Sequence, residues 1–277
     1  MPAATLLLAL GVLQSAPPLE KTLETLFAYL VSYEARLSEL IADEAMQQSR
    51  LNSASPFGVT AGNSWRKWTS EIAFVRLPGE GAWLGYRNVI VVDGKRVRED
   101  SSRLQNLLAR GPNEQKRALD LALASARFNL GLPRTTNVPT LPLEFVHPRH
   151  RNRLTFKVHG TERVHGRQLR RVSFEEQVRP TLIRDPDGHD ILSRGSVWFE
   201  EGSGRIFEAE VRMVAAFDPN GPESSLKVSF APQPGLDILV PVRMRETFPF
   251  RSGWGQSDAR YANFRRFGTS ARIIPQP

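Results

Sequence analysis

From Arg153 to Ile274 the chain is one short strand-like segment after another, separated by turn residues and free of helical periodicity. Phe207, Ala209, Val211, Met213 and Ala215 alternate with Glu208, Glu210 and Arg212, so one side of that segment is apolar and the other charged. Leu226, Val228 and Phe230 alternate with Lys227 and Ser229 in the same way. Ile238, Val240, Val242 and Met244 alternate with Leu239, Pro241, Arg243 and Arg245, with Pro241 marking an edge or a bulge. Further strands are expected at Arg153–His159, Arg167–Gln177, Thr181–Arg184, Ser196–Glu200 and Ala259–Phe267. Sequentially connected strands of this kind pair most economically as an antiparallel meander.

The first half is different. Leu19–Arg50 carries Leu23, Leu26, Phe27, Leu30, Val31, Leu37, Leu40 and Ile41 at spacings of three, four and seven, which predicts one long amphipathic helix. Pro17 and Pro18 suit its first turn. Asn52–Ser64 reads as a loop, Trp65–Leu77 as a strand and Pro78–Gly81 as a turn. Trp83–Val92 and Lys95–Arg98 flank Asp93-Gly94, a strong two-residue hairpin signal. A short helix is expected from Asp100 to Ala109. A second, from Pro112 to Leu130, should bury Leu119, Ala122, Leu123, Ala126 and Leu130 and stop at Gly131. The proline-rich segment 132–150 is irregular, but its apolar residues predict that it packs down. The fold class is therefore α+β. A strongly curved antiparallel sheet of about nine to eleven strands, a half-barrel, would pack on amphipathic helices as one domain over 17–277, with a helical insertion at about 100–150.

Cysteine is absent, which excludes disulfides, thiolate metal sites and cysteine nucleophiles. The apolar run Ala3–Leu13 followed by Gln14-Ser15-Ala16 has the length of an export-signal core and is too short to span a membrane. Residues 1–16 are read as a signal peptide and the protein as periplasmic or secreted. The formal charge is +8, from 37 Lys and Arg against 29 Asp and Glu. Six of the 37 are Lys, so the excess is arginine, spread along the strands (Arg167, Arg170, Arg171, Arg179, Arg184, Arg194, Arg205, Arg212) as a solvated face would have it. No nucleic-acid module is recognisable, and peripheral contact with an anionic membrane remains compatible with the charge.

No catalytic motif is visible. His147, His150, His159, His165 and His189 read as exposed loop residues, with a turn near Gly160 between His159 and His165. Asp185-Pro186-Asp187-Gly188-His189-Asp190 has turn chemistry but lacks the spacing of a calcium loop. Glu175-Glu176 and Glu200-Glu201 are adjacent, so members of each doublet face opposite sides of a strand. No phosphate-binding loop, dinucleotide fingerprint or nucleophile elbow occurs, and no cofactor is implied.

The residues that stand out form an apolar sheet face: Phe207, Val211, Met213, Leu226, Val228, Phe230, Val240, Val242 and Met244. Such a face is either ordinary core or the lining of a site for an acyl chain or other hydrophobic ligand, where methionine repacks easily.

Several segments carry a resemblance. Gly195–Glu210 is similar to the strand, glycine-turn, Arg-Ile, strand hairpin of the periplasmic lipoprotein-carrier (LolA/LolB-like) fold. Asn137–Leu141, Arg179–Arg184 and Tyr261–Phe267 resemble a family of uncharacterised exported bacterial proteins. The resemblance implies an incomplete barrel with helices as a lid over an apolar cavity, and a non-enzymatic role binding a lipid or acylated protein. It assigns a function to no individual residue. The alternative is an envelope scaffold binding an anionic partner through its basic face. A third reading, a hydrolase with a cross-strand carboxylate or histidine site, requires a polar cleft.

Overall fold

The computed structural model describes residues 18–52, 64–76, 83–97, 122–131, 133–215, 218–250 and 253–266. The expected signal segment 1–16, the turn 78–81, the helix 100–109 and most of the loop 52–64 lie outside the described residues.

Helix α1 runs over Leu19–Leu37. Pro18 caps it in an extended conformation, Glu20 sits in its first turn and Arg36 in its last, each charge complementing the helix dipole. It buries Thr22, Leu23, Leu26, Tyr29, Leu30, Tyr33 and Leu37 along one stripe. Val31, expected on that stripe, is 53% exposed.

The helix stops at Leu37, and the expectation that it continues to Arg50 is wrong. Residues Leu40–Asn52 form strand β1. The period there is two rather than 3.6: Ala42, Glu44, Met46 and Gln48 are buried while Ala45 and Gln47 are exposed. Hydrogen bonding to strands on both sides outweighs whatever helical propensity the segment has.

The remaining strands are β2 (Ser64–Arg76), β3 (Trp83–Val92), β4 (Lys95–Arg96), β5 (Leu154–Val164), β6 (Arg167–Glu176), β7 (Ile183–Arg184), β8 (Asp190–Phe199), β9 (Ile206–Ala215), β10 (Ser224–Pro232), β11 (Leu239–Phe250) and β12 (Gly253–Arg266). All twelve lie in one sheet, in the order β4-β3-β2-β1-β12-β11-β10-β9-β8-β6-β5, with β7 paired to β8. Every neighbouring pair is antiparallel, as a meander requires. The one long-range pairing on this path joins β1 to β12 and so fuses two sequential meanders. The order begins at β4 and ends at β5 without joining them, so the sheet is not closed into a barrel.

Local chemistry explains several details. At the β3–β4 turn Asp93 (φ 48°) and Gly94 (φ 80°) both adopt positive φ, the hairpin geometry read from the sequence. The register of β10 and β11 shifts where Ser229 and Phe230 face Arg243 and Pro241, leaving Val242 as the extra residue of a bulge. The strict alternation expected there therefore breaks: Ile238, Leu239, Val240 and Met244 are all buried, and Val242 only partly. The turn expected near Gly160 is instead a bulge inside β5, and the chain reverses at His165-Gly166.

Segment 133–153 is packed down, as expected, with Val138, Leu143, Phe145 and Val146 nearly inaccessible. It contains a short helix, Leu141–Glu144, and a 3-10 turn, Pro148–Arg153. Of the preceding helix, residues 122–126 are described. Ala122 and Ala126 are buried, but Leu123 is 51% exposed and so does not belong to the face assigned to it.

Candidate functional site

Helix α1 and segment 133–153 lie on one face of the sheet, the inner face. There α1 lies near the β8–β9 turn, where a Cβ on Gly204 would come within 2.6 Å of the Thr25 carbonyl oxygen. Tyr33 meets Phe230 of β10 edge-on at 6.4 Å, and Phe27 meets Phe156 of β5 at 6.0 Å. Phe145 stacks on Phe174 of β6 at 5.4 Å. The predicted apolar face is this inner face. Phe207, Val211, Met213, Leu226, Val228, Phe230, Val240 and Met244 are buried in one cluster with α1, and Val242 packs against its margin. Each such side chain contributes roughly 1.5–3 kcal/mol through burial, so this half of the inner face holds the fold together.

The other half of the inner face, over β1, β2, β3, β11 and β12, sets a buried polar network among the core side chains Met46, Trp68, Ile72, Phe74 and Val89. Glu44 accepts from Arg87 Nε at 2.6 Å and NH2 at 3.0 Å, and from Ser70 Oγ at 2.8 Å. Arg87 NH1 reaches Asn137 Oδ1 at 3.3 Å. Asn137 Nδ2 donates to Asn129 Oδ1 at 2.7 Å, as does Gln48 Nε2 at 2.9 Å. Gln48 Nε2 also donates to Ser257 Oγ at 3.1 Å, and Ser257 Oγ donates to Glu246 at 2.8 Å. Arg134 Nε donates to Glu246 at 3.2 Å, and its guanidinium carbon Cζ stands 3.5 Å from the centre of the Phe248 ring. This chain of bonds straps segment 129–138 across the sheet. Burial lowers the Arg87 pKa, and Glu44 more than offsets it, leaving the guanidinium charged. Burial, then the Glu44 carboxylate, push the Tyr261 phenol well above its ordinary range.

The helical spacing of Leu37, Leu40 and Ile41 hides β1, and with it this network, from the sequence. The signal was available: Glu44 and Glu246 are charges standing in the apolar phase of their strands, beside Met46 and Met244.

Between the strap and the far ends of the strands lies an apolar cleft of about 390 Å³. Ile183, Ile191, Met213, Ala215, Pro222 and Pro249 line it, together with the polar Thr136, Asp218 and Ser224. Strand β9 links it to the helix: Ile206 lies next to the turn under α1, and nine residues later Ala215 stands in the cleft. At about 3.3 Å per residue this is a stripe of some 30 Å. The helix Leu141–Glu144 packs on β9 and β10.

The other candidate groups serve structure. His147 and His150 are not exposed loop residues. His147 Nε2 stands 2.9 Å from Glu34 of α1, and His150 Nε2 stands 2.7 Å from Glu144, each largely buried. They tie 3-10 turn to helices. His159 is near Ser173 at 2.8 Å, and burial, followed by Arg171, lowers its pKa. His165 and Lys227 flank Glu208, which is buried rather than solvated. Arg170 likewise leaves the solvated set: it is buried, with NH2 2.8 Å from both oxygens of Glu201.

Asp185, Asp187 and His189 bring ligand atoms within 4.8 Å of one another. Asp185 Oδ1 accepts from the backbone N–H groups of Asp187 and His189 at 2.9 and 2.8 Å, and Oδ2 meets His189 Nδ1 at 2.9 Å, which is turn chemistry. Glu175 is exposed and its neighbour Glu176 buried, facing apart as expected.

Among the described residues, an open antiparallel sheet of twelve strands with a long helix and a strap on its inner face defines the class of fold. Among solved structures the chain is similar to a domain from Vibrio parahaemolyticus described as outer membrane lipoprotein-sorting, at 12% identity and a TM-score of 0.39, covering 92% of this chain and 95% of that one. It is similar to a DUF1329 family protein from Desulfovibrio piger at 13% identity and a TM-score of 0.37, covering 91% and 95%. A MucA/MucB complex structure from Pseudomonas aeruginosa matches at 8% identity and a TM-score of 0.21, covering 88% and 99%. At TM-scores below 0.5 none of these likenesses carries function to this chain. No family model and no curated protein sequence matches it. Among the described residues no helix is long and apolar enough to cross a membrane.

Proposed function

We propose that this is a non-enzymatic protein of the bacterial envelope that binds a lipid, the acyl chain of a lipidated protein or another hydrophobic ligand between sheet and helices. The observation that carries the reading is the apolar stripe of β9, which runs from beneath α1 into the open cleft at Met213 and Ala215. Cleft volumes of about 300–1,000 Å³ suit small ligands, and each buried methylene adds about 0.8 kcal/mol. Affinity then needs little polar recognition. In the strongly curved arrangement that the reading requires, α1 and the strap 129–138 act as lids over two halves of one half-barrel, and 17–277 is a single domain. Phe207, Val211, Met213, Leu226, Val228, Phe230, Val240, Val242 and Met244 form the face on which the ligand extends once a lid yields.

Native mass spectrometry of the purified protein with palmitate tests this. A one-to-one complex, lost when Ala215→Trp fills the cleft, supports it. A wild-type protein that takes up no palmitate and carries no lipid from the envelope sinks it.

A further inference from the structure

The outer face, opposite to the apolar stripe, carries a groove of about 600 Å³ that crosses β5, β6, β8 and β9. Within it Ser173 and Ser196 stand directly opposite each other across β6 and β8, and Thr155 and the rings of Phe156, Phe174 and Trp198 also line it. Its walls are basic, with Lys157, Arg171, Arg194 and Arg212 against Glu175 and Glu210.

Arg194 and Arg212 are directly opposed across β8 and β9. Like charges in that position destabilise a sheet. Both side chains are well exposed, at 63% and 53%, and Arg212 is also engaged from its own strand, its Nε donating to Glu210 Oε1 at 2.7 Å and leaving its terminal nitrogens turned towards Arg194. One carboxylate holds them together: Glu223, just before β10, lies 2.7 Å from Arg194 NH2 and 3.9 Å from Arg212 NH1. Two guanidinium forks therefore converge on a single anion-sized spot, and the planar carboxylate there reaches only one of them at bonding distance. A tetrahedral phosphate presents oxygens to both forks at once, and charge-assisted bonds from arginine are short and strong. The serine hydroxyls and Lys157, which makes no ion pair among the described residues, continue the donor surface along the groove.

We propose that this groove binds a phosphate-bearing ligand between Arg194 and Arg212, and that Glu223 occupies the anion position when the ligand is absent. The site is independent of the hydrophobic cleft, and either can fail without the other.

The test is calorimetric titration at constant ionic strength with inorganic phosphate and with glycerol 1-phosphate. Sedimentation with phosphatidylcholine vesicles containing phosphatidylglycerol runs beside it. Saturable binding is expected, weakened at least about tenfold by Arg194→Ala and by Arg212→Ala, the loss of one charged hydrogen-bond partner. Glu223→Gln removes the competing charge and tightens binding several-fold. Variant-sensitive binding to the soluble phosphates identifies a free phosphate ester. Variant-sensitive binding to vesicles alone identifies a lipid headgroup, and either supports the site. No saturable binding to any probe, or equal affinity in wild type and both arginine variants, overturns it. Affinity unchanged or weakened in Glu223→Gln also overturns the placement. The substituted side chains are exposed, and unchanged thermal melts confirm that each variant is folded.

Discussion

Arg87 of β3 and Glu44 of β1 meet as a two-pronged ion pair sealed from solvent, with Nε 2.6 Å from Oε2 and NH2 3.0 Å from Oε1. β2 lies between their strands and contributes Ser70 to the same carboxylate. Removing one member of such a pair leaves a buried charge without its partner. Arg87→Ala is therefore expected to cost about 3–5 kcal/mol, measured by urea unfolding. The double variant Arg87→Met, Glu44→Leu should recover much of that loss, because it buries no charge at all.

Glu176 has the opposite problem. Burial raises its carboxyl pKa, and the Leu182 amide and Arg153 only partly offset this. The folded protein then holds this proton to a higher pH than the unfolded chain. Its contribution to stability is greatest below the unfolded pKa and falls as pH rises through the interval between the two values. Glu176→Gln removes the decline while keeping an acceptor for the Leu182 amide. Thermal melts from about pH 4 to about pH 8 should show the variant more stable than wild type near neutrality, with the two converging in acid. A variant less stable at every pH would contradict it.

Two glycines separate backbone strain from close packing. Gly94 sits at φ 80° with open space around it, so Gly94→Ala should cost only the left-handed strain of about 1–2 kcal/mol. Gly195 lies opposite Phe174, and a Cβ there would fall 2.0 Å from the Glu210 carbonyl oxygen and 2.5 Å from the Phe174 ring. Gly195→Ala must move backbone and is expected to exceed about 3 kcal/mol. Chemical denaturation of the two variants side by side checks the order.

Filling the cleft should separate binding from folding. Ala215 is only partly buried at the end of β9. Ala215→Trp is expected to lower palmitate affinity at least about tenfold while shifting stability by under about 1 kcal/mol, as a change at a half-open position should. Loss of affinity accompanied by a large drop in melting temperature would show that Ala215 belongs to the core rather than to a site.

How far the sequence can be read depends on how local each feature is. The Asp93-Gly94 hairpin, the buried stripe of α1 and the apolar phases of β9 and β10 were legible because each is set by neighbours within a few residues. The bulge at Val242 breaks the alternation expected for β11, so Val240, Val242 and Met244 do not follow one phase as the residues of β9 and β10 do. The cleft was scarcely legible: Met213 alone of the expected face lines it, and Ile183, Ile191 and Pro249 come from separate strands.

Residues 40–50 show where local reading fails. Leu37, Leu40 and Ile41 fit a helical spacing, and no local stretch reveals that β12, more than 200 positions away, pairs with this segment. The strap network fails in the same way, since Glu44, Arg87, Asn137 and Glu246 acquire their partners only when four distant stretches meet. The basic residues divide similarly: Arg170 is buried with Glu201, while Arg194 and Arg212 face each other across two strands.

The sequence by itself determined which face β9 and β10 turn inward, because side-chain alternation is a property of the extended backbone alone. Only the tertiary structure decided which strands are neighbours, where the sheet stays open and which charges are buried together. Those outcomes depend on the total surface removed from water and on hydrogen bonds between distant segments, and no short stretch of chain contains either quantity.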